Sequence, residues 1–247
     1  MSQSIDSIEF TRGLIQPVEC IREGYELIKD QYWLFVGMGA IAVLIGNAVP
    51  FGILMGPMAV GLYMALFRKR RGELVEFGIL FKGFDSFGDS VVATLLMVIP
   101  IAIIIVPAYI IFYVGLILTM QSGGGEPDPS AMFGLFAFFT VFWIIALLII
   151  VVISLVFTFA YPLIADRKLS GMDAVKLSIR AALANFWRLL GLSLLNGLLV
   201  IAGMLLCYVG IFLVIPITFA ALAIAYERVF GLGQIRPNVP PPPPIFS

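Results

Sequence analysis

Histidine is missing from all 247 residues, which removes the commonest general base, pH switch and metal ligand in one step. Ser-His and Cys-His nucleophilic mechanisms are excluded with it. Cysteine is almost as scarce. Only Cys20 and Cys207 are present, far apart in the chain and, in the topology below, at opposite ends of the membrane, so two buried or interfacial thiols are expected rather than a disulfide. Charged residues make up 12% of the chain, against about 25% in soluble domains, and none falls in the middle of a long apolar run. There are no paired carboxylates within an apolar segment, no P-loop and no nucleophile elbow. The glycines at 123–125 stand beside Glu126 and Asp128, the wrong sign for a phosphate cradle. These absences predict a protein that is not an enzyme, carries no catalytic, cofactor or metal residues, and has no nucleic-acid partner.

What remains is strongly apolar. Hydrophobic residues make up 61% of the chain and the mean hydropathy is +1.08, far beyond soluble composition. The uncharged runs exceed the roughly 14 residues at which a buried soluble helix usually stops. This is a multi-pass integral membrane protein of the all-α class. Its first apolar run follows some thirty polar and amphipathic residues rather than a short basic region, so no secretory signal is expected.

The chain resembles itself. A shift of 154 positions places Val18, Ile21, Tyr25 and Ile28 on Met172, Val175, Ile179 and Ala182, and Trp33 and Gly37 on Trp187 and Gly191. After a five-residue gap, Pro57 meets Pro216 and Gly72 meets Gly231. Such similarity in an apolar chain predicts a duplicated membrane unit, a helical bundle with two parallel-topology repeats at 17–72 and 171–231 around a central hairpin at 91–165. Residues 1–16 are read as a flexible N-terminus and 17–231 as one membrane domain. The tail at 232–247, ending NVPPPPPIFS, is read as a stiff, disordered polyproline segment.

Three amphipathic stretches precede or interrupt the apolar runs. Val18, Ile21, Tyr25 and Ile28 share one face of 17–30. Phe77, Leu80, Phe81, Phe84 and Phe87 form a second stripe, weakened by Gly78, Gly83 and Gly88. Residues 172–186 carry the third, with Val175 and Ile179. All three are predicted to lie in the membrane surface, with Tyr32, Trp33 and Trp187 as further interfacial anchors.

Six crossings are predicted: about 31–49, 52–67, 91–120, 131–165, 187–207 and 210–227. Pro100 and Pro107 should bend the third, and the fourth should leave the bilayer near Tyr161-Pro162. Gly56-Pro57, and Pro216 in the second copy, mark helix positions where either close packing with a kink or a binding site at a broken helix is expected. The intramembrane polar groups Asn47, Thr94, Ser154, Thr158, Ser193, Asn196 and Thr218 suit interhelical hydrogen bonds. With both termini on one side, segments 1–30, 68–90, 166–188 and 228–247 hold three, five, five and two Lys or Arg, which is all fifteen. The other face carries only Glu126 and Asp128. Retention of basic residues then predicts cytoplasmic N- and C-termini.

The order FGILFKGFDSF, a proline-broken span, AYPLIADRKLSGMDAVKLSIRAALANFWRLLGL and CYVGIFLVIPITFAALAIAYERVF resembles a group of small bacterial membrane proteins. That group includes the membrane domain attached to some glycerophosphodiester phosphodiesterases. The resemblance covers roughly residues 17–231 and implies a bacterial inner (cytoplasmic) membrane location. It transfers no active site, because the catalytic barrel is absent. The expected function is a non-enzymatic membrane-organising, scaffold or sensing module. Its partners would be the lipid bilayer, anionic lipid headgroups and other membrane proteins. The alternative is a transporter or lipid-handling protein with a site between the repeats.

Overall fold

A computed structural model describes residues 10–122, 129–205 and 209–232. The expectations for residues 1–9, for most of the outer loop, for Cys207 and for the proline tail fall outside the described residues. All regular structure among the described residues is helical. The helices are α1 (Pro17–Ile28), α2 (Tyr32–Gly46), α3 (Met55–Arg70), α4 (Phe87–Ser122), α5 (Pro129–Phe157), α6 (Ala160–Arg167), α7 (Gly171–Ala184), α8 (Phe186–Leu205) and α9 (Val209–Phe230). Five helical stretches are long and apolar enough to cross a membrane: 17–46, 77–121, 129–167, 186–205 and 209–230.

Helices α3 and α9 lie side by side and in parallel. Tyr63 packs on Phe219 with ring centroids 5.4 Å apart, and Phe67 on Tyr226 at 5.3 Å. Around them sits the core, built from Phe35, Met58, Leu62, Leu66, Phe159, Leu163 and Tyr226. Helix α3 has 16 residues, about 24 Å of helix. Eleven of them are buried, so protein surrounds it almost completely.

Helix α1 runs antiparallel along α9. The Thr11 backbone N–H donates to the Val229 carbonyl at 2.8 Å, and the Tyr32 hydroxyl donates to the Leu213 carbonyl at 2.6 Å. Between these, Gly24 meets Ala220 and Ala221 so closely that a Cβ on it would lie 2.7 Å from the Ala221 nitrogen. The buried stripe of α1 is Cys20, Gly24 and Ile28, at i, i+4 and i+8. This corrects the predicted lipid-facing stripe of Val18, Ile21, Tyr25 and Ile28: Ile28 is buried in protein, while Val18 and Tyr25 stay exposed. Small residues decide the docking face because they let two backbones approach, and periodicity of hydrophobicity does not register size.

The second amphipathic stretch docks likewise. Residues Phe77–Ser86 wind as a tight 3₁₀ run on α3, with Gly83 against the Pro57 carbonyl and Gly61 against the Leu80 carbonyl. Ile79, Leu80 and Gly83 are buried, whereas Phe77, Phe81 and Phe87 are exposed. The expected five-residue apolar face is therefore split between protein and surroundings.

Helix α7 also packs into protein, against α4, α5 and α6. Val175 is 5% exposed and Ile179 packs against the core, which corrects their assignment as lipid anchors. Lys176 and Arg180 are exposed on α7.

The chain bends between α5 and α6 at Thr158-Phe159, slightly before the predicted exit at Tyr161-Pro162. Ser178 of α7 enters the break, accepting from the Phe159 N–H at 3.1 Å and donating to the Val156 carbonyl at 2.7 Å. An inserted side chain that takes over backbone partners is a recognised cause of a helix kink.

Helices α4 and α5 form the central hairpin. Helix α4 is 36 residues long, about 54 Å, and runs continuously through Pro100 and Pro107. Helix α5 has 29 residues, about 44 Å. Phe112 stacks on Phe139 at 4.2 Å, and Tyr109 meets Trp143 edge-on at 5.8 Å. In the most apolar window of each stretch only 6% of residues are buried, so the hairpin presents apolar surface on nearly every side.

Candidate functional site

The charged residues gather where α3, α6 and α9 end. Asp166 closes α6 with its side chain fully buried. Its Oδ1 accepts from Arg71 Nη2 at 2.8 Å, and its Oδ2 accepts from the Tyr226 hydroxyl at 2.9 Å. Arg167 donates to the Phe230 carbonyl at 2.8 Å. Its Nε, buried and without a hydrogen bond, lies 4.0 Å from Asp166 Oδ2. Beside this hub, Arg70 pairs with Glu227 at 2.8 Å. Arg228 pairs with Glu23 at 2.8 Å and Glu19 at 3.2 Å. Lys69 pairs with Asp30.

The same layer holds the N-terminal strap. The Gly13 N–H donates to Asn185 Oδ1 at 2.8 Å, and Arg188 donates to the Ile15 carbonyl at 3.1 Å. Ion pairs and hydrogen bonds thus fasten five elements into one plate at the basic end of the molecule.

A cavity of about 130 Å³ opens in that plate. Arg68 and Arg71 reach it from the end of α3, Lys82 from the 3₁₀ run and Lys168 from just past α6. Met64, Phe67, Ile79 and Ala165 complete its lining. Arg68 Nε is 3.8 Å from Glu73, and Arg71 is held by Asp166. Among the described residues Lys82 and Lys168 have no ion pair. Lys168 adopts a left-handed backbone conformation (φ 53°) at the helix end. Burial pushes its ammonium below the ordinary lysine value, against the opposing pull of Asp85. A pocket with several cations and an apolar lining can hold a phosphate or carboxylate through charge-assisted hydrogen bonds.

The residues singled out from sequence lie elsewhere. Pro57 and Pro216 are buried and closely surrounded: the Pro57 carbonyl abuts Gly83, and a Cβ on Gly39 would come within 3.9 Å of the Pro216 ring. Pro100 and Pro107 are exposed on the hairpin. Trp33 and Trp187 are 74% and 79% exposed, positions suited to a headgroup region. Tyr32, half-buried, pins α2 to α9 and, with Tyr25, Asp30 and Trp33, borders a second cavity of about 300 Å³. Asn196 is buried in α8 with its Oδ1 unpartnered.

Asp166, Arg71, Tyr226, Lys82 and Lys168 were not singled out in sequence. The available signal was local: an Asp-Arg-Lys triplet directly after an apolar run and four consecutive cations after α3. Their convergence depends on the tertiary contact of α3, α6 and α9. Among the described residues, no three acidic, cysteine or histidine side chains cluster in a way that would hold a metal ion. Comparison with protein-family models, with curated proteins and with solved structures finds no match to this chain.

Proposed function

We propose that this chain is a non-enzymatic membrane-organising module of the bacterial inner membrane. It crosses the bilayer six times with both termini cytoplasmic; the resemblance to phosphodiesterase-linked membrane domains implies the inner-membrane location. The observation that carries this reading is the pairing of a rigid plate of ion pairs with a long apolar hairpin. The ion pairs join the bundle at one end, and the apolar windows of α4 and α5 are 6% buried, which suits a module held at one leaflet that offers the hairpin to lipid or to other membrane proteins.

The contact of Thr11 with Val229 supports an even number of crossings, since it brings both ends of the membrane domain to one side. In this reading α3 is the sixth crossing. It falls just below the usual minimum of about 17 residues, and its enclosure by protein compensates for a short lipid-facing length. The repeat rests on the sequence register alone, in which the shift that brings Pro57 onto Pro216 also brings Gly61 onto Ala220; the two leading helices dock differently, α1 on α9 and α7 on α4, α5 and α6. Close packing around Pro57 and Pro216 gives the alternative of a transport site between the repeats no support.

The test is co-purification in mild detergent, with wild type compared against a variant in which the exposed Phe133, Phe138, Ile144 and Leu148 of α5 are changed to Ala. The organising function predicts that a defined set of membrane proteins accompanies the wild type and is lost with the variant. Identical sets from both would contradict it.

A further inference from the structure

We propose that the cavity between Arg68, Arg71, Lys82 and Lys168 binds the phosphate of an anionic phospholipid. The proposal rests on reading this plate as the headgroup side of the protein, and it deepens that reading by naming a ligand. Basic residues at membrane ends are ordinarily explained by retention in the cytoplasm. Retention needs only their number and side. It does not require cations from three separate elements to converge on one hollow, as these do.

The charge balance favours an anion. Glu73 and Asp166 face Arg68 and Arg71, and Asp85 acts on Lys168 only at a distance. Lys82 and Lys168 remain for a ligand.

The surroundings favour a lipid over a soluble phosphate. The cavity is floored by Phe67 and Met64. The adjoining segment exposes Leu74, Phe77 and Phe81, an apolar rim along which acyl chains can lie. Surface attraction for anionic lipid is worth about fivefold in affinity per basic residue, so the two lysines should dominate selectivity.

Native mass spectrometry of the purified full-length protein tests this, using mixed micelles with equal phosphatidylglycerol and phosphatidylcholine of matched chains. Wild type should retain phosphatidylglycerol in preference. Lys82→Gln and Lys168→Gln should each reduce that preference about fivefold, and together abolish it. Lys176→Gln, an exposed cation on α7, should leave it intact. Circular dichroism would verify that helicity is unchanged. Equal retention of the two lipids by wild type, or a double variant that keeps the preference, would overturn the proposal. Displacement of the lipid by millimolar inorganic phosphate would reassign the cavity to a soluble anion and overturn the lipid assignment. The assay uses no partner protein, so its failure and a failed co-purification are separate results.

Discussion

The Tyr226 hydroxyl donates to Asp166 Oδ2 at 2.9 Å, joining the last turn of α9 to the end of α6 beneath the Arg71 guanidinium. A buried carboxylate shared by a guanidinium and a phenol locks three helices into one orientation. It is tolerable only because its oxygens are satisfied.

Replacing Asp166 with Ala leaves Arg71, Arg167 and Tyr226 facing an apolar gap, and breaking one partner of a buried pair typically costs about 3–5 kcal/mol. Tyr226→Phe removes one hydrogen bond and should cost about 1 kcal/mol. Thermal unfolding in detergent should order the midpoints as wild type, Tyr226→Phe, Asp166→Ala. Equal midpoints for wild type and Asp166→Ala would show that the plate contributes nothing to the fold.

Gly24 sets the distance between α1 and α9. Gly24→Leu forces the helices apart at an expected cost of about 1–3 kcal/mol and should uncover Cys20, a buried free thiol on the same face. With Cys207 changed to Ser, maleimide labelling of Cys20 should be slow in wild type and much faster in Gly24→Leu. Equal rates would mean that α1 does not depend on this contact.

The pH dependence follows from Lys168, whose ammonium is held below its ordinary 10.5 chiefly by burial, with Asp85 opposing. Between the lowered folded value and 10.5 the unfolded chain binds more protons, so this residue's penalty is fully present at neutral pH and fades as pH rises through that window. Lys168→Met should therefore unfold at a higher temperature than wild type near neutrality, and the gap should close at alkaline pH. A gap that widens with pH would reverse the assignment.

Much of the architecture was legible in the sequence because it depends on long uncharged runs. The apolar hairpin and the gathering of cations could be read from composition and order, whereas 131–165 reads as a single helix and its break at Thr158-Phe159 does not show there. The docking faces could not. Ile28 and Val18 share one hydrophobic stripe of α1, yet one is buried and the other exposed, because Gly24 and Ala221 select the contact by size. Ser178 likewise reads as an ordinary polar residue on a helix. Its role at the α5–α6 break exists only once α7 is packed there. The cation-lined cavity has the same origin, since Lys82 and Lys168 are 86 positions apart in sequence.

The central claim is that the ion-paired plate faces the cytoplasm while the tip of the α4–α5 hairpin faces outward. A membrane-impermeant maleimide applied to intact cells tests it, with Cys20 and Cys207 changed to Ser and a single Cys placed at Lys176 or at Gly124. The account predicts labelling of the Gly124→Cys protein alone, with the Lys176→Cys protein reacting only after permeabilisation. Labelling of Lys176→Cys in intact cells, with Gly124→Cys protected, would contradict it.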